Sequence, residues 1–297
     1  MTRLSARDFA PEVMQLFDHY VHGRIDRRAF LDGAARHASG GVSAAALLHA
    51  LSPDFARAQQ VRPDDARLTT RRVEIDSPRG NGRIGGYLAL PRDAKGPLPA
   101  VLVVHENRGL NPHIEDVNRR LALEGFAALA PDALSTLGGL PGDEDAARAL
   151  FAKLDQPKTR EDFIAAAEWL RVQPFANGRV GVIGFCWGGA MANLLAVRLP
   201  WLAAAVAFYG GSQPTGGDVA RIKAAVQIHN AGEDAWVDAG APAYEAALKA
   251  AGVRFEAYRY PGTLHGFHND TTPRYDEAAA KLAWQRALAF LHRHLDA

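Results

Sequence analysis

The segment Gly184-Phe185-Cys186-Trp187-Gly188 holds the residue types that most directly imply chemistry. It follows the apolar run Val180–Ile183 and precedes a stretch from Ala190 that suits a helix. A buried strand that turns sharply into a helix needs glycines on both sides of the bend, and the central side chain then stands above the sheet. A cysteine there lies at a helix N-terminus, where the dipole and unpaired N–H groups favour its anion. A free thiol has a pKa of about 8.5 and is mostly protonated near neutral pH, so it needs a base. Cys186 is the only cysteine in the chain, which leaves it no internal disulfide partner and excludes a Cys-only metal cage.

Candidates for the base and its orienting carboxylate come late in the chain. Asp234 follows the strand-like run Val226–Ile228 and a turn at Gly232; His265 follows the last strand-like run and Pro261-Gly262. Both fall at the carboxyl ends of strands, where open α/β sheets build their sites. Glu233 and Asp238 compete with Asp234 for the carboxylate role. His268 makes a His-x-x-His pair with His265, but no third ligand at helical spacing accompanies it, so no metal site is expected.

The elements that must carry these residues are legible as alternating patterns. Arg72 opens a hairpin region, with Val73, Ile75, Ile84, Tyr87, Leu88 and Leu90 around a turn at Pro78-Arg79-Gly80-Asn81-Gly82. Six short apolar runs follow: Ala100–Val104, Phe126–Ala130, Val180–Ile183, Ala204–Phe208, Val226–Ile228 and Phe255–Tyr258. Runs this apolar suit strands buried on both faces. Helical patterns lie between them, including one started by Asn111-Pro112 and others over Thr159–Val172, Ala241–Ala251 and Tyr275–Leu295. The fold class is α/β, a mostly parallel central sheet of about eight strands with helices on both faces. Leu134 to Leu154, with its Gly138-Gly139-Leu140-Pro141-Gly142 stretch, is expected to form a flexible element over the site.

Together these motifs resemble the dienelactone hydrolase (carboxymethylenebutenolidase) family of α/β hydrolases. The resemblance rests on His105-Glu106-Asn107-Arg108-Gly109, Gly184-Phe185-Cys186-Trp187-Gly188-Gly189, Ala231-Gly232-Glu233-Asp234 and Leu264-His265-Gly266-Phe267, in family order. It implies an α/β-hydrolase fold over about residues 72–297, with Cys186 as nucleophile, His265 as base and Asp234 as the orienting acid. It also implies that Glu106 regulates the resting cysteine and that no cofactor is required. Elbow enzymes use backbone N–H groups of the residue after the nucleophile and of a loop after the third strand, here Trp187 and Asn107, as an oxyanion hole. Arg108 and Trp236 are candidate substrate contacts. Family members acting on dienelactone hold its carboxylate with arginines, one shortly after the histidine. Here the sequence reads His268-Asn269-Asp270, with no arginine until Arg274. A small ester or lactone is therefore the expected substrate, cleaved through a thioester. The alternatives are a broader carboxylesterase or thioesterase, and a non-catalytic binding protein on the same fold.

Composition excludes several other classes. The 34 Lys and Arg against 33 Asp and Glu leave a net charge of +1, so no basic field exists to hold nucleic acid. No apolar stretch approaches the roughly 20 residues of a membrane span.

Residues 1–58 read as a helical N-terminal extension, residues 59–71 as a linker and 72–297 as the catalytic domain. Phe9, Val13, Leu16, Phe17, Tyr20 and Val21 recur at helical steps within Asp8–Leu31, with a break at Gly23 and a cap at Asp26. Such apolar positions need burial, against the catalytic domain or in a homodimer. Asp26-Arg27-Arg28-Ala29-Phe30-Leu31 resembles a twin-arginine export motif, and Ala56-Arg57-Ala58 a cleavage site. Asp32, Arg36 and His37 interrupt what would be the apolar core of a signal. The expectation is a retained, folded extension in a cytoplasmic protein; periplasmic export is the alternative.

Overall fold

The computed structural model describes residues 4–38, 42–56 and 59–296. Arg57 and Ala58 of the cleavage-like segment, and the Gly40-Gly41 break, lie outside them. Three short helices come first: α1 (Pro11–Val21), α2 (Arg27–Ala34) and α3 (Ala44–Leu51). Gly23, at φ 72°, makes the bend between α1 and α2. Asp26 caps α2 by accepting the N–H of Ala29 at 2.8 Å.

The sheet follows. Its strands are β1 (Leu68–Ser77), β2 (Gly82–Pro91), β3 (Leu98–Val104), β4 (Ala127–Asp132), β5 (Ala176–Phe185), β6 (Ala204–Phe208), β7 (Ala225–Glu233) and β8 (Phe255–Leu264). They lie in the order β1-β2-β4-β3-β5-β6-β7-β8. β1 and β2 are antiparallel to their neighbours, and the other strands run parallel. One boundary differs from the sequence reading: β1 begins at Leu68, inside the stretch taken as linker, because Leu68 is buried and pairs with Pro91.

Interleaved are α4 (Pro112–Leu123), α5 (Glu144–Phe151), α6 (Gln156–Arg171), α7 (Trp187–Arg198), α8 (Ala235–Asp238), α9 (Ala241–Ala250) and α10 (Glu277–Leu295). Successive residues of one strand serve opposite faces. On one face Leu102 and Val182 join Phe163 of α6, Leu195 of α7 and Leu248 of α9. On the other, Val101, Val103 and Ile183 join Ile114 of α4 and Phe290 of α10. This double burial explains why the strands read as continuous apolar runs.

The extension has its own small core of Val13, Met14, Phe17, Tyr20, Val21, Phe30, Ala34, Leu48 and Leu51, with Leu264 of β8 packed against it. Polar contacts tie it to the catalytic domain. Arg148 of α5 donates to the carbonyl of Tyr20 at 2.8 Å, and Arg27 pairs with Asp145 of α5 at 2.9 Å. Beyond α3, the N–H of Val61 donates to Asp116 of α4 at 2.7 Å, and Arg119 returns a bond to the carbonyl of Val61 at 2.8 Å. No described helix is long and apolar enough to cross a membrane.

Candidate active site

The bend after β5 has no room for a side chain at either flanking glycine. A Cβ on Gly184 would lie 1.9 Å from the carbonyl oxygen of Gly188, and one on Gly188 would lie 2.3 Å from that of Val104. Between them Cys186 takes φ 55° and ψ −114°, a left-handed conformation that costs a non-glycine residue on the order of 1–3 kcal/mol. The cost is offset by the packing of β5 and α7, and the result is a thiol held at the N-terminus of α7. Trp187 is the first residue of that helix, so its N–H belongs to the first-turn donors without an intrahelical acceptor.

His265 follows β8, and Asp234 caps α8 at the end of β7. His265 Nδ1 donates to Asp234 Oδ2 at 2.6 Å, and both side chains are buried. The competing carboxylates are elsewhere: Asp238 pairs with Arg259, and Glu233 is exposed. The ring of His268 stacks on Phe185 with centroids 5.2 Å apart, and burial holds its pKa well below the usual histidine range.

A residue absent from the sequence reading completes the cluster. His22, just past the end of α1, lies with its Nε2 3.9 Å from Cys186 Sγ and 3.3 Å from His265 Nε2. Its Nδ1 is 2.8 Å from the carbonyl oxygen of Asp18 and 3.1 Å from Asp18 Oδ1. The sequence signal for this residue is faint, a single histidine before Gly23 with no motif around it.

The electrostatics follow from these neighbours. Burial opposes ionisation of Cys186, but the positive charge of His265 and the hydrogen bond from His22 outweigh it and bring the thiol down to about 6. Burial likewise opposes the charged form of His265, yet Cys186 and Asp234 raise it to about 10. Burial works against a cationic His22, while Asp18 and Cys186 raise its pKa. These neighbours favour a thiolate at Cys186 and an imidazolium at His265.

The loop after β3 is braced by His105. Its Nδ1 donates to the carbonyl of Glu106 at 2.6 Å, and its Nε2 accepts the N–H of Ala133 at 3.2 Å, which fixes a neutral tautomer. Its ring stacks on Trp187 with centroids 5.5 Å apart. The indole of Trp187 also packs against Phe151 and Phe163, so this side chain belongs to the apolar packing beneath the elbow.

The remaining sequence candidates have definite positions. The buried Glu106 accepts from Asn269 Nδ2 at 2.9 Å. Asn107 donates from its side chain to the carbonyl of Val21 at 2.9 Å, which fastens the loop to the extension. Arg108 is buried and paired with Glu144 of α5, and it also donates to Asn107 Oδ1 at 2.8 Å. Trp236 lies over the site, its ring 5.4 Å from that of His22 and 6.3 Å from that of His265. Arg274 is buried under the extension with its guanidinium 5.3 Å from the ring of Phe17. A cleft of about 700 Å³ runs beside Trp187 along α7, lined in part by Met191, Leu194 and Arg198.

A mostly parallel eight-stranded sheet with a strained residue at a glycine-flanked elbow after β5 defines an α/β hydrolase. Within that class, the chain belongs to the dienelactone hydrolase family, whose profile matches residues 84–295. A YqhI-like family matches residues 1–38, the stretch that delivers His22. A protein of Escherichia coli K12 provisionally named carboxymethylenebutenolidase is 34% identical over 248 residues, covering 78% of this chain and 89% of its own. A hydrolase fragment of the same organism, YghX, is 48% identical over 114 residues, 38% of this chain and 97% of the fragment. The crystal structure of a provisionally named dienelactone hydrolase from Klebsiella pneumoniae superposes with a TM-score of 0.65 at 30% identity, covering 76% of this chain and 99% of that one. The protein is accordingly a dienelactone hydrolase-like hydrolase.

Proposed function

We propose that this hydrolase cleaves a small ester or lactone through a thioester on Cys186. The observation that carries the reading is the thiol at the strained elbow, within 4.8 Å of a ring nitrogen of a histidine that is itself bonded to a buried carboxylate. The thiolate attacks the carbonyl carbon, and the oxyanion forms against the backbone N–H groups of Trp187 and Asn107. His265 gives its Nε2 proton to the departing alkoxide as the C–O bond breaks. It then takes a proton from water, which attacks the thioester; the acid leaves and Cys186 returns as thiolate. Asp234 keeps the His265 tautomer fixed and balances the imidazolium. Glu106 acts on the resting cysteine through its charge. A slowly turned-over aryl ester should leave an acyl group on Cys186, seen as a mass increase of the intact protein. Cys186→Ala should carry no adduct and lose hydrolysis while keeping its fold. Normal turnover by that variant would sink the mechanism.

The substrate class that fits best is an ester without a carboxylate. Arg108 is neutralised by Glu144, and Arg274 lies under Phe17, so neither is aimed at a substrate anion. A panel of paired lactones and aryl esters, each with and without a carboxylate, should show the uncharged member turned over at least as well. A strong preference for the carboxylated member would overturn this assignment.

The extension is retained in the working protein, which we place in the cytoplasm. Support comes from the arginine pair itself: Arg27 and Arg28 open α2, Arg27 pairs with Asp145, and Phe30 is fully buried. The mass of the protein isolated from its host decides the matter, since a mature chain starting at Gln59 in a periplasmic fraction contradicts it.

A further inference from the structure

We propose that His22, Cys186 and His265 together form a binding site for a thiophilic divalent cation of the zinc class. Three potential donor atoms converge there, all within 4.8 Å of one another. Each histidine is already oriented as a metal ligand would be. His265 donates its Nδ1 proton to Asp234, and His22 donates its own to Asp18, so both Nε2 lone pairs face inward when the rings are neutral. Carboxylate or carbonyl partners of this kind fix the tautomer and raise the basicity of metal-bound histidines. Two of the three spacings are near those of a metal site, and the third, from Sγ to His265, is within 4.8 Å. With metal–nitrogen bonds near 2.0–2.1 Å and a metal–sulfur bond near 2.3 Å, tetrahedral geometry separates the nitrogens by about 3.3 Å and nitrogen from sulfur by about 3.6 Å. The observed separations are 3.3 Å between the two Nε2 atoms and 3.9 Å from His22 Nε2 to Sγ. A Cys-His-His donor set with one open position suits Zn²⁺ and its analogue Co²⁺, not the oxygen-seeking Mg²⁺ or Ca²⁺.

Binding forms one metal–sulfur and two metal–nitrogen bonds. It releases to solvent the protons held at Sγ and at the two Nε2 atoms. The Nδ1 protons stay on their hydrogen bonds. The ion occupies both the nucleophile and the base, so hydrolysis stops while it is bound, and it pins the end of α1 to the elbow. His22 is the ligand that the extension contributes; without it a cysteine–histidine pair remains.

The test uses the full-length protein, stripped with a chelator and measured without substrate, so it stands apart from the hydrolytic reading. Zn²⁺ is titrated against a chromogenic chelator, and Co²⁺ is followed by absorption. One Zn²⁺ per chain is expected, with Co²⁺ showing a thiolate charge-transfer band and intense tetrahedral bands. His22→Gln should weaken Zn²⁺ binding by at least about tenfold, and Asp18→Asn by less, because it removes the carboxylate charge while the Asp18 carbonyl still accepts from Nδ1. Circular dichroism establishes that these variants are folded. A missing thiolate–Co²⁺ band, or an unchanged Zn²⁺ affinity in folded His22→Gln, overturns the site.

Discussion

His265 donates to Asp234 at 2.6 Å although the two residues stand 31 positions apart, one after β8 and the other at the end of β7. The parallel pairing of these strands brings the two loops to the same sheet edge. The carboxylate is itself held, accepting the N–H of Val237 at 3.3 Å, and its pKa is lowered because the bonds from His265 and Val237 outweigh burial. Asp234→Asn should therefore cut kcat by about 10²–10⁴ with little change in stability, since an amide no longer selects the required tautomer. Steady-state kinetics beside a denaturant titration checks both halves, and near-normal kcat would mean the pairing does no catalytic service.

The thiolate–imidazolium pair sets a pH window. The thiol pKa is lowered to about 6, so thiolate appears as pH rises through that value. His265 keeps its proton up to about 10, above which it has none to give the leaving group. With a chelator present, kcat/KM should rise through about pH 6, stay level, and fall toward pH 10. Alkylation of Cys186 by iodoacetamide should show the lower limb alone. An alkylation midpoint at pH 8 or above would mean that the histidines do not stabilise the thiolate.

Glu106 is buried in the loop after β3, with Asn269 bonded to its carboxylate. A negative charge near a thiol disfavours the thiolate, and Glu106→Gln removes it. Alkylation of the free enzyme should quicken, and its midpoint should move to lower pH. A rate profile superposable on wild type would separate Glu106 from the nucleophile.

His105 bears on stability and activity together. Its removal leaves the N–H of Ala133 without its acceptor and opens a void against Trp187. His105→Ala should lower unfolding free energy by about 2–4 kcal/mol. It should also depress kcat, because the loop carrying Asn107 loses its brace. Urea denaturation followed by Trp fluorescence gives the first quantity; a loss below 1 kcal/mol would show that the stack contributes little.

The elbow was legible because local sterics dictate it. Only glycine fits at positions 184 and 188, so a strand, two glycines and a central cysteine predict one geometry. The alternation of buried strands with helices, and the capping residues Asp26 and Asn111, were legible for the same reason: each is decided within a few residues along the chain. Asp234 and His265 could be shortlisted from their places after strands, with Glu233 and Asp238 as rivals; the pairing of β7 with β8 separates them. Arg108 carries the opposite lesson. As a sequence it is a free cation beside the site, and only the packing of α5 brings Glu144 onto it. His22 was beyond sequence reasoning altogether. Its approach to Cys186 depends on how α1 docks across the catalytic domain, through Val21 on Asn107 and Tyr20 on Arg148. Those contacts join residues far apart in the chain, and no local propensity or spacing encodes them; tertiary packing alone brings the second histidine to the thiol.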